Sequence, residues 1–168
     1  MPTDIVALLG VRAGSKRVSN KNGREFANSN LLTIKIETLK QVRGLSGIIV
    51  NSESPELLAL ARKSGAETIL RDPQFATDHV LTSDYYQHIA ENCLCNVILS
   101  ATVTTPFVEP ESYESGIETF LSLSDSDYDS VTSCFPLKEF LYKDGKALNY
   151  DPAKQKLRFL NHQPTEND

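Results

Sequence analysis

Asp4-Ile5-Val6-Ala7-Leu8-Leu9-Gly10 runs directly into Val11-Arg12-Ala13-Gly14-Ser15-Lys16-Arg17-Val18-Ser19-Asn20-Lys21-Asn22-Gly23-Arg24. The first part is short, apolar and without alternation, the pattern of a strand covered on both faces in a parallel sheet. Residues 11–30 have no periodicity and are rich in Ser, Asn, Gly, Lys and Arg, so they read as a long loop. In an open α/β sheet that loop sits at the carboxyl edge, where ligands bind. It carries five cations, Arg12, Lys16, Arg17, Lys21 and Arg24, within 13 residues of a chain whose formal net charge is −5. Small residues between them let the backbone come close, and amides with fixed cations suit a polyphosphate. A solvated basic loop is the alternative reading. Two phosphate motifs fail. A P-loop needs a second Gly where Ser15 stands and Ser or Thr where Arg17 stands, and Gly-x-Gly-x-x-Gly is absent.

Outward from this loop the chain alternates between two periodicities. Leu32, Ile36, Leu39 and Val42 share a helical face, closed by Gly44 and Gly47. Ile48-Ile49-Val50 is a second buried strand. Ser54 as N-cap and Pro55 at the first helical position start a helix carrying Leu57, Leu60 and Ala61, which ends before Gly65. A short strand over residues 67–70, a polar loop over 71–79 and a helix over 82–92 follow. Residues 96–100 form a third buried strand. Residues 110–123 read as a helix with Ile117, Phe120 and Leu121 inward, and residues 129–135 as a strand. Strand-helix alternation over the first 135 residues predicts an α/β fold with a doubly wound, mostly parallel sheet. Residues 138–160 alternate weakly about Asp144-Gly145, which predicts a β-hairpin. The expected organisation is one domain overall, with an α/β core over residues 1–135 and a hairpin segment over 136–168. Pro164 to Asp168 carries no closing element, so the reading is a fragment or a hairpin that packs on something else.

Composition narrows the classes. The chain has 168 residues, 40% hydrophobic and 23% charged, which suits a packed globular domain rather than a disordered one. No stretch approaches the roughly 18 apolar residues of a membrane span, and the short apolar run after Asp4 lacks a basic leader. Net negative charge argues against binding a nucleic-acid backbone. Three cysteines, an odd count, fit a reducing compartment, so a cytoplasmic location is expected. Cys93 and Cys95 are too close for the usual metal pair and read as buried thiols, and Cys134 as a strand core residue. No Ser/His/Asp arrangement is visible.

Arg12-x-x-Ser15-Lys16-x4-Lys21-Asn22 after a buried strand resembles the signature of the acylneuraminate cytidylyltransferases, the CMP-sialic acid synthetases and their relatives acting on other nonulosonic acids. The likeness continues through Leu31-Leu32, Ile48-Ile49-Val50-Asn51-Ser52, Ala61-Arg62-Lys63-x-Gly65-Ala66-Glu67, Leu70-Arg71-Asp72-Pro73-x-x-Ala76-Thr77-Asp78 and Asp129-Ser130-Val131-x-Ser133. It covers most of residues 4–135, in order. It implies a Rossmann-like nucleotidyltransferase fold with a β-hairpin dimerisation element near the C-terminus. It also implies an enzyme that joins CMP from CTP to a 2-keto sugar acid and releases pyrophosphate, with Mg²⁺ neutralising the phosphates. By matching positions, Arg12, Lys16 and Lys21 would hold the triphosphate and stabilise developing charge. The amides of Ala13, Gly14 and Ser15 would face the phosphates, Asn22 would contact the ribose, and Arg71 and Thr82 would lie by the cytosine and ribose. A homodimer is the implied assembly, with no nucleic-acid and no membrane partner.

Each of these positions also has a plainer reading. Arg71 would pair with Asp72 or Asp78, Asn22 would satisfy a turn, and Thr82 would cap the helix that follows it. The family's Leu-Gln-x-Thr-Ser-Pro segment is here Leu99-Ser100-Ala101-Thr102-Val103-Thr104-Thr105-Pro106, so Ser100 or Thr102 stands where a long hydrogen-bonding side chain faces the acceptor. Lys143 matches a family lysine that reaches toward a partner subunit, and His162-Gln163 stands where the family has an arginine-bearing segment; a surface histidine is the alternative there. The resemblance places the family's acidic metal pair beyond Asp168, so no protein ligand for Mg²⁺ is expected within this chain. Phe135, Leu137, Phe140, Leu141, Leu157, Phe159 and Leu160 either serve dimerisation or pack on their own sheet. Three functions stay open: the cytidylyltransferase, a catalytically weak or inactive nucleotide-binding domain, and a nucleotidyltransferase for another sugar.

Overall fold

The computed structural model describes residues 4–14, 18–77, 79–123, 126–134, 140–151 and 153. In chain order the elements are β1 (Ile5–Gly10), β2 (Glu25–Phe26), β3 (Ser29–Asn30), α1 (Leu31–Leu39), β4 (Gly47–Ser52), α2 (Pro55–Lys63), β5 (Glu67–Leu70), a 3₁₀ turn (Pro73–Ala76), α3 (Thr82–Asn92), β6 (Val97–Ser100), α4 (Pro110–Leu121), β7 (Tyr142–Lys143) and β8 (Lys146–Ala147). Two compact units divide the chain, Met1–Thr132 and Ser133–Asp168.

The first unit is built on a four-stranded parallel sheet in the order β5-β4-β1-β6. Ile5, Val6, Ala7, Leu8 and Leu9 of the central β1 are all buried, as an unbroken apolar strand requires. Side chains alternate across the sheet. Ile5, Ala7 and Leu9 pack with Leu32, Ile36 and Leu39 of α1, Leu57 and Leu58 of α2 and Ile117 of α4. Val6 and Leu8 pack with Ile49 and with Ile89 of α3. Helices therefore cover both faces, and the sheet is doubly wound. In register, Gly10 faces Asn51 and Leu8 faces Ser100, so the loops leaving β1, β4 and β6 emerge at one edge.

Local chemistry sets most element starts. Ser54 Oγ accepts from the Leu57 amide with Pro55 just inside α2, and Asn30 Oδ1 accepts from the Thr33 amide to start α1. Other expectations need correction. The loop over residues 11–30 contains the small β2–β3 hairpin, whose turn places Ala27 and Asn28 at positive φ. Helix α1 ends at Leu39, Val42 is buried beyond it, and Gly47 belongs to β4 rather than to the helix end. Thr82 does not cap α3: Leu81 holds that place with no side-chain bond, and Thr82 is the first helical residue. Leu121 is 46% exposed, because α4 buries Ile117 and ends as its apolar stripe turns outward. Residues 129–134 form no strand. Their single aliphatic side chain, Val131, is exposed, so no apolar face drives pairing with a sheet. Cys134 is exposed rather than a core residue, while Cys93 is buried and Cys95 half-buried.

In the second unit β7 pairs antiparallel with β8. Asp144 and Gly145 both take positive φ, as a two-residue primed turn demands. Phe140, Leu141, Tyr142 and Leu148 are exposed. Phe135, Leu137, Leu157, Phe159, Leu160 and His162-Gln163 lie outside the described residues. No helix among the described residues is long and apolar enough to cross a membrane.

Candidate functional site

The shared edge of β1 and β6 opens into a cleft of about 530 Å³. One wall comes from β1 and its loop, with Gly10, Arg12, Val18, Lys21 and Asn22. The other comes from β6 and its loop, Ser100 to Thr104. Tyr85 and Tyr86 of α3 complete the lining. Five of the residues expected from sequence, Arg12, Lys21, Asn22, Ser100 and Thr102, thus meet in one cavity, although 78 positions separate Asn22 from Ser100 in the chain.

The β1 wall is braced from within. The Asn22 side chain is 5% exposed and donates through Nδ2 to the Arg12 carbonyl at 3.2 Å, and the Asn22 carbonyl accepts from the Leu32 amide. Asn22 Oδ1 is buried with no hydrogen-bond partner among the described residues. Buried acceptors are normally satisfied, so an orphan lining a cleft suits a hydroxyl donor from a ligand. Arg12 donates to the Ala76 carbonyl at 3.2 Å, tying the loop to the 3₁₀ turn. Sequence reasoning did not anticipate Glu53, at the carboxyl end of β4. Its Oε1 accepts from the Ala13 amide at 2.8 Å, so that N–H is already engaged within the chain. Gly14 is exposed, and Ser15 and Lys16 lie outside the described residues.

Arg71 stands behind this wall and is 5% exposed. It does not pair with Asp72, which instead accepts from the Gln74 amide and starts the 3₁₀ turn; Asp78 lies outside the described residues. Arg71 Nε donates to Asn51 Oδ1 at 2.6 Å. Its Nη2 donates to the Asn51 carbonyl at 2.9 Å and to the Tyr85 hydroxyl at 3.1 Å. The guanidinium also lies 4.6 Å from the Tyr85 ring centroid. Burial raises the Tyr85 hydroxyl above its ordinary pKa, and the neighbouring Arg71 charge partly opposes this. Gly10 is required here by close approach: a Cβ would run into the Tyr85 hydroxyl. The Arg71-Tyr85 pair is thus a support under the cleft floor.

On the β6 wall, Ser100 Oγ and the Tyr86 hydroxyl are 2.9 Å apart. Thr105 closes the loop by bonding Thr102 through both its amide and its hydroxyl. A second recess of about 630 Å³ lies beyond, lined by Lys21, Phe26, Leu31 and residues Thr104 to Val108. Thr82 is exposed and is not among the residues lining the cleft, and Lys143 is exposed on β7 in the second unit.

A profile of the cytidylyltransferase family matches residues 6–164. The chain belongs to that family. Its relatives include an N-acylneuraminate cytidylyltransferase from Escherichia coli O18:K1:H7, 33% identical over 88 residues, 52% of this chain and 21% of that one. A 3-deoxy-manno-octulosonate cytidylyltransferase from Rickettsia bellii is 29% identical over 77% of this chain and 51% of its own length. A CMP-N,N'-diacetyllegionaminic acid synthase from Legionella pneumophila is 28% identical over 68% of this chain and 52% of its own. The chain therefore spans about half the length, or less, of these relatives. Among solved structures, a CMP:2-keto-3-deoxy-manno-octonic acid synthetase complexed with CTP superposes with a TM-score of 0.64 at 17% identity, over 71% of this chain and 48% of that one. A cytidylyltransferase from Leptospira borgpetersenii gives 0.59 at 19% identity, over 73% of this chain and 51% of that one. At these identities the likeness establishes the fold, a Rossmann-like nucleotidyltransferase sheet. The chain is thus a member of the cytidylyltransferase family, and the relatives it matches are named for several different sugar acids.

Proposed function

We propose that the cleft binds CTP on its β1 wall and a 2-keto sugar acid on its β6 wall, and that the enzyme joins CMP to the sugar with release of pyrophosphate. The observation that carries this reading is the meeting of Arg12, Lys21 and the orphaned Asn22 Oδ1 with the hydroxyls of Ser100 and Thr102 in one cavity. The anomeric hydroxyl of the acceptor attacks the α-phosphorus, the bond to the bridging oxygen breaks, and pyrophosphate leaves. Such a transfer needs positioning and charge stabilisation more than covalent help from the protein. Arg12, Lys16 and Lys21 supply positive charge for the triphosphate, and the Gly14 and Ser15 amides are assigned to its oxygens, the Ala13 amide being taken by Glu53. Asn22 Oδ1 accepts from a ribose hydroxyl, while Arg71 orders Tyr85 beneath the base and Thr82 stands at the start of the same helix. Ser100 and Thr102 present hydroxyls to the acceptor, and Lys143 is assigned to the acceptor side from a partner subunit. The exposed Phe140, Leu141, Tyr142 and Leu148 support a pairing role for the second unit in a homodimer.

No cluster of three or more His, Cys, Asp or Glu that could hold a metal ion occurs among the described residues. Mg²⁺ is ordinarily held by one or two carboxylates together with substrate phosphates, so the triphosphate would supply most of its ligands here. A second reading is a domain that binds the nucleotide but turns it over weakly. Titration calorimetry with CTP and with GTP, followed by a pyrophosphate-release assay with CTP and N-acetylneuraminate, separates the readings. Selective CTP binding with release supports the enzyme, and selective binding without release supports the weak domain. Equal binding of both nucleotides, or of neither, sinks the assignment.

A further inference from the structure

Lys35 lies on the inner face of α1, beside the buried Leu32, Ile36 and Leu39, and its side chain is 0% exposed. A buried ammonium loses several kcal/mol of hydration unless it is compensated. No carboxylate bonds to it among the described residues. Its Nζ donates instead to the Thr105 carbonyl at 2.7 Å and to the Tyr113 hydroxyl at 2.8 Å, and lies 5.1 Å from the Tyr113 ring centroid. An aliphatic side chain of equal length would fill the same space without the desolvation cost. The charge is therefore retained for what it holds.

What it holds is the loop after β6. Thr105 sits at its centre, bonded back to Thr102 and forward to the Val108 amide. Residues up to Thr104 line the cleft, and Thr104 to Val108 line the adjoining recess. Lys35 reaches this loop from 70 positions away, and Tyr113 fixes its ammonium from α4. Charge-assisted bonds of this length are the stronger kind, so the Thr105 carbonyl is a firm anchor for a segment with no strand or helix of its own.

We propose that Lys35, with Tyr113, is a positioning residue that fixes the acceptor-side wall of the cleft and leaves the nucleotide side untouched. This rests on the assignment of the two walls made above. The test uses Lys35→Met and Tyr113→Phe in the full chain, with two independent readouts. In amide hydrogen exchange without ligand, Lys35→Met accelerates exchange over residues 101–109 at least ten-fold and leaves β1 and β4 unchanged. In pyrophosphate release with CTP and N-acetylneuraminate, the KM for the sugar rises at least ten-fold while the KM for CTP moves less than two-fold. Tyr113→Phe, which removes one of the two bonds, shifts both readouts in the same direction by less; it carries the test if Lys35→Met fails to fold. Unchanged exchange over 101–109 overturns the proposal, as do sugar and CTP constants that move together. A wild-type chain that releases no pyrophosphate counts against the cytidylyltransferase reading alone, and the exchange result then decides the role of Lys35.

Discussion

Arg71 and Lys35 are the two buried cations among the described residues, and each stands behind a different wall of the cleft. Arg71 is held by three hydrogen bonds and an aromatic face, from Asn51 and Tyr85. Lys35 makes two bonds, to elements that come much later in the chain. The wall backed by Arg71 carries cations, Arg12 and Lys21. The wall backed by Lys35 carries only hydroxyls and aliphatic groups, from Ser100 to Thr104. The difference separates a wall whose cations suit a highly charged ligand from one whose neutral surface is set by the loop's conformation.

Loss of Arg71 is expected to have the largest effect. Arg71→Met leaves the Asn51 carboxamide and the Tyr85 hydroxyl without their main partner, and a buried polar group left unsatisfied costs about 1–3 kcal/mol. Denaturant unfolding should show that loss. A loss under about 1 kcal/mol would mean the network is not a support at all. Next come Arg12→Ala and Lys21→Ala. Each removes a cation from the β1 wall, where a hydrogen bond to a charged group is worth about 1.5–3 kcal/mol, or roughly ten- to a hundred-fold in the CTP dissociation constant. Lys21→Ala should leave the unfolding midpoint nearly unchanged, whereas Arg12→Ala also loses the bond to the Ala76 carbonyl, about 0.5–1.5 kcal/mol. If CTP binding survives both, the division of labour between the walls is wrong.

The sheet was readable because its physics is local. β1 and β4 are short runs with both faces covered, so unbroken apolar sequence identifies them; β6, expected to be buried, is a half-buried edge strand that the same apolar run marks, and Ser54-Pro55 marks the α2 start through a bond three residues long. Asp144-Gly145 announces its turn by the backbone angles it needs. Arg12 and Lys21 are legible as cations in a loop after a strand, while Asn22, Ser100 and Thr102 enter through the family resemblance. Their supports are not legible. Lys35 looks like a solvated helix lysine until Thr105 and Tyr113 are brought to it, although its place three residues after Leu32 and four before Leu39 puts it on the apolar face. Arg71 needs Asn51 across 20 positions, and Ala13 needs Glu53 across 40. Residues 129–134 carry a strand-like motif by resemblance, yet one exposed valine gives them no face to bury.

A smaller effect is expected on the hydroxyl wall. Tyr86→Phe removes the partner of Ser100 Oγ, and a neutral hydrogen bond contributes about 0.5–1.5 kcal/mol. Steady-state pyrophosphate release should show the sugar KM rising by roughly two- to ten-fold, with the KM for CTP unmoved. Ser100→Ala should reproduce it. A matching rise in the CTP constant would place Ser100 on the nucleotide side and merge the two walls into one.

The smallest effect concerns what anchors the hydroxyl wall from outside. Glu114 neighbours Tyr113 on α4 and accepts from Arg43 through its Nε, its Nη2 at 2.6 Å and its backbone amide at 2.8 Å. The Arg43 hydrogen bonds hold the Glu114 carboxyl below its ordinary value of 4.5. A carboxyl whose pKa is lowered by folding stabilises the fold above its unfolded value, and that contribution is lost as pH falls through the lowered one. Wild-type protein should therefore lose stability below about pH 4.5 from this pair, and Glu114→Gln should lose that increment at every higher pH. Arg43 is largely exposed, so solvent screening keeps the difference small. Thermal melts of both proteins from pH 3 to pH 7 should separate by no more than a few degrees near neutrality and draw together as pH falls below about 4.5. A separation that stays constant across the whole range would show that Glu114 acts through packing rather than charge, and that α4 is seated for the Lys35 side without help from the ion pair.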